Sequence, residues 1–367
     1  IKNEDVIKLL RGEKGSAVNI IIKRRGQDEL IAFTIIRDDI PLYSVDAGIM
    51  LTNDIAYIKI NRFAATTYNE MMEKANKLTK KGMRKLILDF RGNPGGYLYI
   101  ANQICDEFLK AGELIVFTEG RNRSKKETFA TKNGLLENIK VIALINEGSA
   151  SASEIVSGAL QDNDRGLVIG RRSFGKGLVQ EQITLNDGSV MRLTTQRYYT
   201  PSGRCIQKDY GGNTKDYYLE QYTRKDTLTH HSNSLKYTTK KGRIVYGGGG
   251  ITPDIIIKRD TTLNYLQINK IMSKGWINKF CFEKSEDLRK QNISNYNQIN
   301  MASMYADFTQ YLKQKNSKFE LKLGAAEFKY LENLLLGGIA RNLWGNDTYY
   351  QVLSLEDEYI QRAINEF

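Results

Sequence analysis

VIALI (141–145), NEGSA (146–150) and SASEIVSGAL (151–160) run on from one another, and their reading decides the fold. VIALI is a short apolar run with the length of a buried strand. SASEIVSGAL continues as a helix, so a turn of small residues joins strand to helix. Such a turn exposes the first helical residues and points backbone N–H groups outward, which suits an anion or a developing oxyanion. The small side chains leave room for a substrate backbone. Ser151 to Glu154 also spell the capping box S-x-x-E. Ser151 is therefore a helix cap, a nucleophile, or both.

The same alternation extends in both directions. Ile55–Ile60 places apolar residues at every second position, the pattern of a strand with one buried face. Thr66–Lys80 has helical spacing, with Met71, Ala75 and Leu78 on one stripe. Lys85–Phe90 reads as a buried strand, followed by the turn Arg91-Gly-Asn-Pro-Gly-Gly96 and a helix to about Leu109. Glu113–Thr118, Leu167–Ile169, Leu178–Leu185 and Val190–Tyr199 read as strands. Strands and helices alternating at these lengths predict a layered α/β domain. At the N-terminal end, residues 4–11 read as a helix, and Ala17–Lys23 and Leu30–Arg37 as strands around a Gly-containing turn. Residues 206–243 are polar and aperiodic, and read as an exposed excursion. It ends at Gly247–Gly250 and the strand-like Asp254–Lys258. Beyond Thr261 the chain reads as helical, with Phe308–Leu312 and Ala325–Leu335 at three and four spacing.

A length of 367 residues predicts two or three domains. The formal charge is +12, but Lys and Arg are scattered among Asp and Glu. The densest cluster, Arg121–Lys126, reads as a solvated loop. No nucleic-acid-binding signature is present, so no nucleic-acid partner is expected. The three cysteines, Cys105, Cys205 and Cys281, form no C-x-x-C pair, and their odd number gives no disulfide framework. The only histidines are the adjacent His230 and His231. A histidine-rich metal site is not expected, nor is a cofactor, and a Ser-His-Asp triad would have to draw on this pair. No apolar run reaches the ~18 residues of a membrane span. The chain opens on Ile1 rather than Met, as a fragment or processed form would.

Two further stretches carry candidate chemistry. Gly170-Arg-Arg-Ser-Phe-Gly-Lys-Gly177 nearly matches the phosphate-binding loop G-x-x-x-x-G-K-[ST]. Gly177 lacks the hydroxyl that would ligate magnesium, and the residues after it read as a strand where a phosphate loop opens a helix. Lys176, held between two glycines, is alternatively a general base, because desolvation disfavours an ammonium. Ser-Lys pairs are an alternative to the histidine triad. With Lys176 opening a strand, Gln180 lies on the same face four residues on and could hold the amine. The turn at Arg91–Gly96 could aim backbone N–H groups at a ligand.

Together these stretches resemble the C-terminal processing peptidases, or tail-specific proteases. The matching segments are LDFRGNPGGYL (88–98), INEGSASASEIVSGALQDNDRG (145–166), IGRRSFGKGLVQ (169–180), TTQRYYTPSGRCIQ (194–207) and GGGGITPDI (247–255). The resemblance implies a Ser151 nucleophile, a Lys176 general base and a supporting Gln180. It implies oxyanion donors at the Ala152 amide and at Gly95-Gly96, with Gly96 preferred, and a supporting role for Asp162. It implies an α/β core built as the crotonase-like or Clp-type spiral of ββα units, over 39–259. Residues 1–38, with DVIKLLRGEKGSAVNIIIKR at 5–24, resemble the C-terminal half of a PDZ domain, and 260–367 form a helical C-terminal region. The implied activity is serine endopeptidase action near polypeptide C-terminal tails, in the periplasm or envelope of a bacterium, with possible homo-oligomers. Two other readings stay open: a catalytically silent peptide-binding module of the same fold, and a nucleotide-binding protein using Gly170–Lys176.

Overall fold

The computed structural model describes residues 3–24, 27–131, 133–211, 213–223, 235–259 and 265–367. The chain divides into two compact units, Ile1–Tyr43 and Ser44–Phe367. The division falls after Tyr43 rather than after residue 38. His230 and His231 lie outside the described residues, as do Arg25 and Gly26 of the expected Gly-containing turn.

The first unit consists of helix α1 (Asn3–Leu10) and strands β1 (Ala17–Lys23) and β2 (Leu30–Ile36). The strands pair antiparallel, from Ala17 opposite Ile36 to Lys23 opposite Leu30. Arg37 ties the helix to them. Its Nε donates to the Leu10 carbonyl at 2.7 Å, where a cation also complements the helix C-terminus, and its guanidinium donates to the Ala17 carbonyl at 3.1 Å.

The second unit begins with β3 (Val45–Met50), β4 (Ile55–Ile60), α2 (Thr67–Lys80), β5 (Lys85–Asp89) and α3 (Leu98–Asp106). Then come β6 (Leu114–Gly120), β7 (Arg123–Phe129), β8 (Lys140–Ile145), α4 (Ala152–Asp162), β9 (Gly166–Gly170), β10 (Leu178–Thr184) and β11 (Val190–Tyr199). Next are α5 (Thr214–Thr223), β12 (Lys236–Thr238), β13 (Ile244–Tyr246) and β14 (Ile255–Ile256). It closes with α6 (Leu266–Ser273), α7 (Trp276–Arg289), α8 (Met301–Lys315), α9 (Ala325–Trp344), α10 (Asn346–Ser354) and α11 (Glu358–Asn365).

A six-stranded sheet, ordered β14-β9-β8-β5-β4-β3, is parallel except for β3. Side chains alternate across a strand, so β5 sends Leu86 and Leu88 to one face and Ile87 to the other. The first face packs on α2, α3 and α4 through Met71, Ala75, Ile104 and Val156. The other face is covered from the C-terminal end of the chain, by Tyr359, Ile360 and Ala363 of α11. A sheet covered on both faces needs continuous apolar strands, which is what VIALI supplies. Helices α6 to α9 enclose a core of their own around Ile271, Phe308, Leu331 and Leu335. The described residues 265–367 fall in the second unit. No helix among the described residues is long and apolar enough to cross a membrane.

A second, antiparallel sheet is ordered β10-β11-β6-β7. Arg123–Lys126 of the expected loop belong to its edge strand β7, whose side chains are almost all solvated. Four of its seven residues are charged, which masks the alternation that would reveal a strand. The stretch 206–243 is not exposed throughout. Ile206, Gln207, Lys208 and Tyr217 are buried, and Tyr217 packs edge-on against Phe174 at 5.7 Å.

Candidate active site

Ser151 stands between β8 and α4 with φ 56° and ψ −115°. A left-handed φ in a non-glycine residue costs about 1–3 kcal/mol and persists only where its surroundings impose it. Those surroundings are polar and buried. The Ser151 N–H donates to Glu154 Oε2 at 2.8 Å, and the Ser151 carbonyl accepts from the Tyr198 hydroxyl at 3.1 Å. On one side of Ser151, Ala150 N–H donates to the Asn93 carbonyl at 2.9 Å. On the other, the Ser153 hydroxyl reaches the same carbonyl at 3.0 Å. The capping box is present in outline, but the Ser151 hydroxyl makes no cap hydrogen bond.

Glu154 joins this turn to the loop that carries Lys176. Its carboxylate is fully buried and accepts from Ser151 N–H, from Ser173 Oγ at 2.5 Å, from Gly175 N–H at 2.7 Å and from Lys176 N–H at 2.9 Å. Burial pushes its carboxyl above the usual range, against the pull of those hydrogen bonds. Tyr198 spans the same gap through carbonyls, since its hydroxyl contacts both Ser151 O and Lys176 O. One buried carboxylate and one buried phenol thus hold the two loops in register. Sequence reading saw Glu154 only as a capping-box partner and did not single out Tyr198, because a brace between distant loops leaves no spacing to read.

The phosphate-loop reading of Gly170–Gly177 fails on this geometry. The loop leads into β10 rather than a helix, and the N–H groups of Gly175 and Lys176 already bind the Glu154 carboxylate. The expected alternation from Lys176 to Gln180 is also broken. The strand starts only at Leu178, and the register shifts between Val179 and Gln180.

The turn after β5 lies against Ser151. Gly95 has φ 94°, and a Cβ there would stand 2.6 Å from Ala150 O and 2.8 Å from Ala152 N. Only glycine allows that approach. The Gly95 N–H is occupied, donating to Asn93 Oδ1 at 2.8 Å. The amides of Gly96 and Ala152 have no hydrogen-bond acceptor among the described residues. Beneath the turn, Asp89 is buried with Arg91, Lys59 and Tyr57, at 2.6 Å, 3.1 Å and 2.7 Å. Burial opposes its ionisation, but the charges of Arg91 and Lys59 hold its carboxyl well below the usual range.

Ser151, Ala152, Gly95, Gly96, Lys176 and Gln180 all line one cleft of about 520 Å³. No hydrogen bond joins Ser151 Oγ, Lys176 Nζ or the Gln180 amide to any described residue. Asp162 is elsewhere, at the far end of α4, roughly 16 Å along a helix axis rising ~1.5 Å per residue. It pairs with the fully buried Arg204 at 2.7 Å and accepts from Ser202 Oγ at 2.7 Å. Among the described residues no three His, Cys, Asp or Glu side chains gather as a metal site.

Residues 54–219 match peptidase family S41, which bears out the resemblance carried by the motifs. A carboxy-terminal-processing protease of Bartonella bacilliformis is 40% identical over 222 residues, 59% of this chain and 50% of that protein. The carboxy-terminal processing protease CtpB of Bacillus subtilis is 37% identical over 208 residues, 56% of this chain and 43% of that protein. The chain spans about half the length of the curated relatives it matches. A solved photosystem II D1 C-terminal processing protease aligns at a TM-score of 0.43 and 24% identity, over 69% of this chain and 58% of that one.

Proposed function

From a chain whose residues 54–219 match peptidase family S41, we propose a serine endopeptidase that cleaves polypeptides near their C-terminal tails, with Ser151 as nucleophile and Lys176 as general base. The observation that carries this reading is the single cleft lined by Ser151, Lys176 and the unpaired amides of Ala152 and Gly96.

Lys176 Nζ takes the Ser151 proton as Oγ attacks the scissile carbonyl carbon. The carbonyl π pair moves to oxygen, and the Ala152 and Gly96 N–H groups receive that oxyanion. As the tetrahedral carbon collapses, the C–N bond breaks and Lys176 returns the proton to the leaving amine. Water then attacks the ester, Lys176 takes its proton, and Ser151 regains it on release of the new carboxyl terminus. Gln180 orients the Lys176 amine. Asp162 has no contact with this chemistry and supports it by holding the end of α4. The same reading makes the first unit the C-terminal half of a PDZ domain and the core a spiral of ββα units. It assigns the protein to a bacterial envelope.

Ser151→Ala and Lys176→Ala should each reduce digestion of an unfolded casein-like protein to below about a thousandth of wild type, with unchanged thermal unfolding. Wild-type turnover in either variant would sink the assignment. A silent peptide-binding module is the second reading, favoured by the missing Ser151–Lys176 hydrogen bond. Catalytic hydrogen bonds often tighten only with substrate in place. Wild-type protein that binds the substrate yet never cleaves it would decide for the module.

A further inference from the structure

The cleft that holds Ser151 and Lys176 has one more charged lining residue, Arg192, on β11. Arg192 stands opposite Gln182 in the β10–β11 ladder, and Gln180 stands opposite Thr194. Successive side chains of a strand point to opposite faces, so Gln180 and Gln182 share one face with Arg192 and Thr194. That face forms a polar wall of the cleft. Leu98, Ile155 and Tyr198 line the same cleft with apolar surface.

The charges on this wall are unbalanced. No Asp or Glu lines the cleft. The one carboxylate of β10, Glu181, alternates to the other face and pairs with Arg123 at 3.1 Å. The Arg192 side chain has no ion pair or hydrogen bond among the described residues. Three buried or half-buried arginines of the fold are held by carboxylates: Arg91 by Asp89, Arg171 by Glu147 and Arg204 by Asp162. A guanidinium presents a planar fork of donors that matches a carboxylate with two parallel hydrogen bonds. Adjacent glutamine amides can donate to the same oxygens.

We infer that Arg192 is a specificity-determining residue that binds a substrate carboxylate, with Gln182 beside it. The inference rests on the peptidase reading of the cleft. Two sources supply that group, the α-carboxylate of a polypeptide C-terminus and the side chain of an acidic residue. The apolar lining takes a neighbouring apolar side chain.

The test uses the whole chain and pairs of fluorescent peptides differing only in the carboxylate. One arm compares a free C-terminal acid with its amide. The other compares Glu with Gln at each position along the peptide. Binding is read by anisotropy on the Ser151→Ala protein, and cleavage as kcat/KM on protein with Ser151 intact. The acid-bearing peptide of at least one arm should be favoured about tenfold or more, mainly through Kd and KM. Arg192→Gln should bring that ratio close to one, and Arg192→Glu should turn it toward peptides carrying Lys at the same position. The arm that responds identifies the source. A ratio near one for wild type in both arms, or a ratio that survives Arg192→Gln, overturns the inference while leaving Ser151-dependent cleavage standing. Absence of cleavage with an Arg192-dependent binding ratio intact would instead remove the peptidase reading and keep the carboxylate site.

Discussion

At the scale of single residues, the site depends on side chains that react with nothing. Glu154 presents its oxygens to a hydroxyl and to backbone N–H groups from both the Ser151 turn and the Lys176 loop. Glu154→Gln would aim an NH₂ at those donors, leaving buried groups unsatisfied at about 1–3 kcal/mol each. The variant should unfold at lower urea and lose about ten- to a hundredfold in kcat. Unchanged kcat with a lowered urea midpoint would show that Glu154 serves folding alone. Ser151, Lys176 and the two glycines could be singled out from sequence through the ordered set of motifs that carries the family resemblance, since local pattern left Ser151 a cap or a nucleophile and Lys176 a near match to a phosphate loop. Glu154 was visible only as a cap, and Tyr198 not at all. Their work is done between segments far apart in the chain, and local pattern does not encode that.

At the scale of elements, helix α4 is anchored at both ends by different chemistry. Its start carries the strained Ser151, and its end is locked by Asp162 against Arg204, which is fully buried. Breaking one member of a buried pair leaves an uncompensated charge, at about 3–5 kcal/mol. Asp162→Ala should therefore lower the thermal midpoint strongly, while any folded fraction keeps its KM. A KM shift at undiminished stability would place Asp162 in substrate binding instead. Strands β4, β5 and β8 and helices α2 and α4 were legible because one period governs each of them. Strand β7 was hidden by its charges, β10 begins only at Leu178, two residues after Lys176, and β11 carries an extra residue, Thr195, where the register shifts opposite Val179 and Gln180. A bulge has no signature when the residues around it are ordinary strand formers.

At the scale of the whole molecule, the C-terminal end of the chain completes the core that holds the site. Asp357 caps α11 and pairs with Arg91 at 2.8 Å, and Arg91 pairs with Asp89 directly before the turn that carries Gly95 and Gly96. This closure was not legible, since amphipathic helices do not announce which sheet face they cover. The network has a pH signature. Asp89 binds its proton less tightly in the fold than when unfolded, so its stabilisation is complete above about pH 4. It is lost as pH falls further. The urea midpoint should drop as pH falls from about 4 toward 2, and Asp89→Asn should flatten that drop. An equal drop in the variant would assign the acid sensitivity elsewhere. Glu154 has the opposite sign, its raised pKa weakening the fold as pH climbs past about 4.3.

The central claim is a covalent step at Ser151 driven by Lys176. Acid quenching of the protein during turnover of an activated peptide ester, followed by peptide mapping in a mass spectrometer, reads that step directly. An acyl group on the peptide containing Ser151, present in wild type and absent in Lys176→Ala, is the predicted result. Acylation at another residue, or an equal adduct without Lys176, would contradict it.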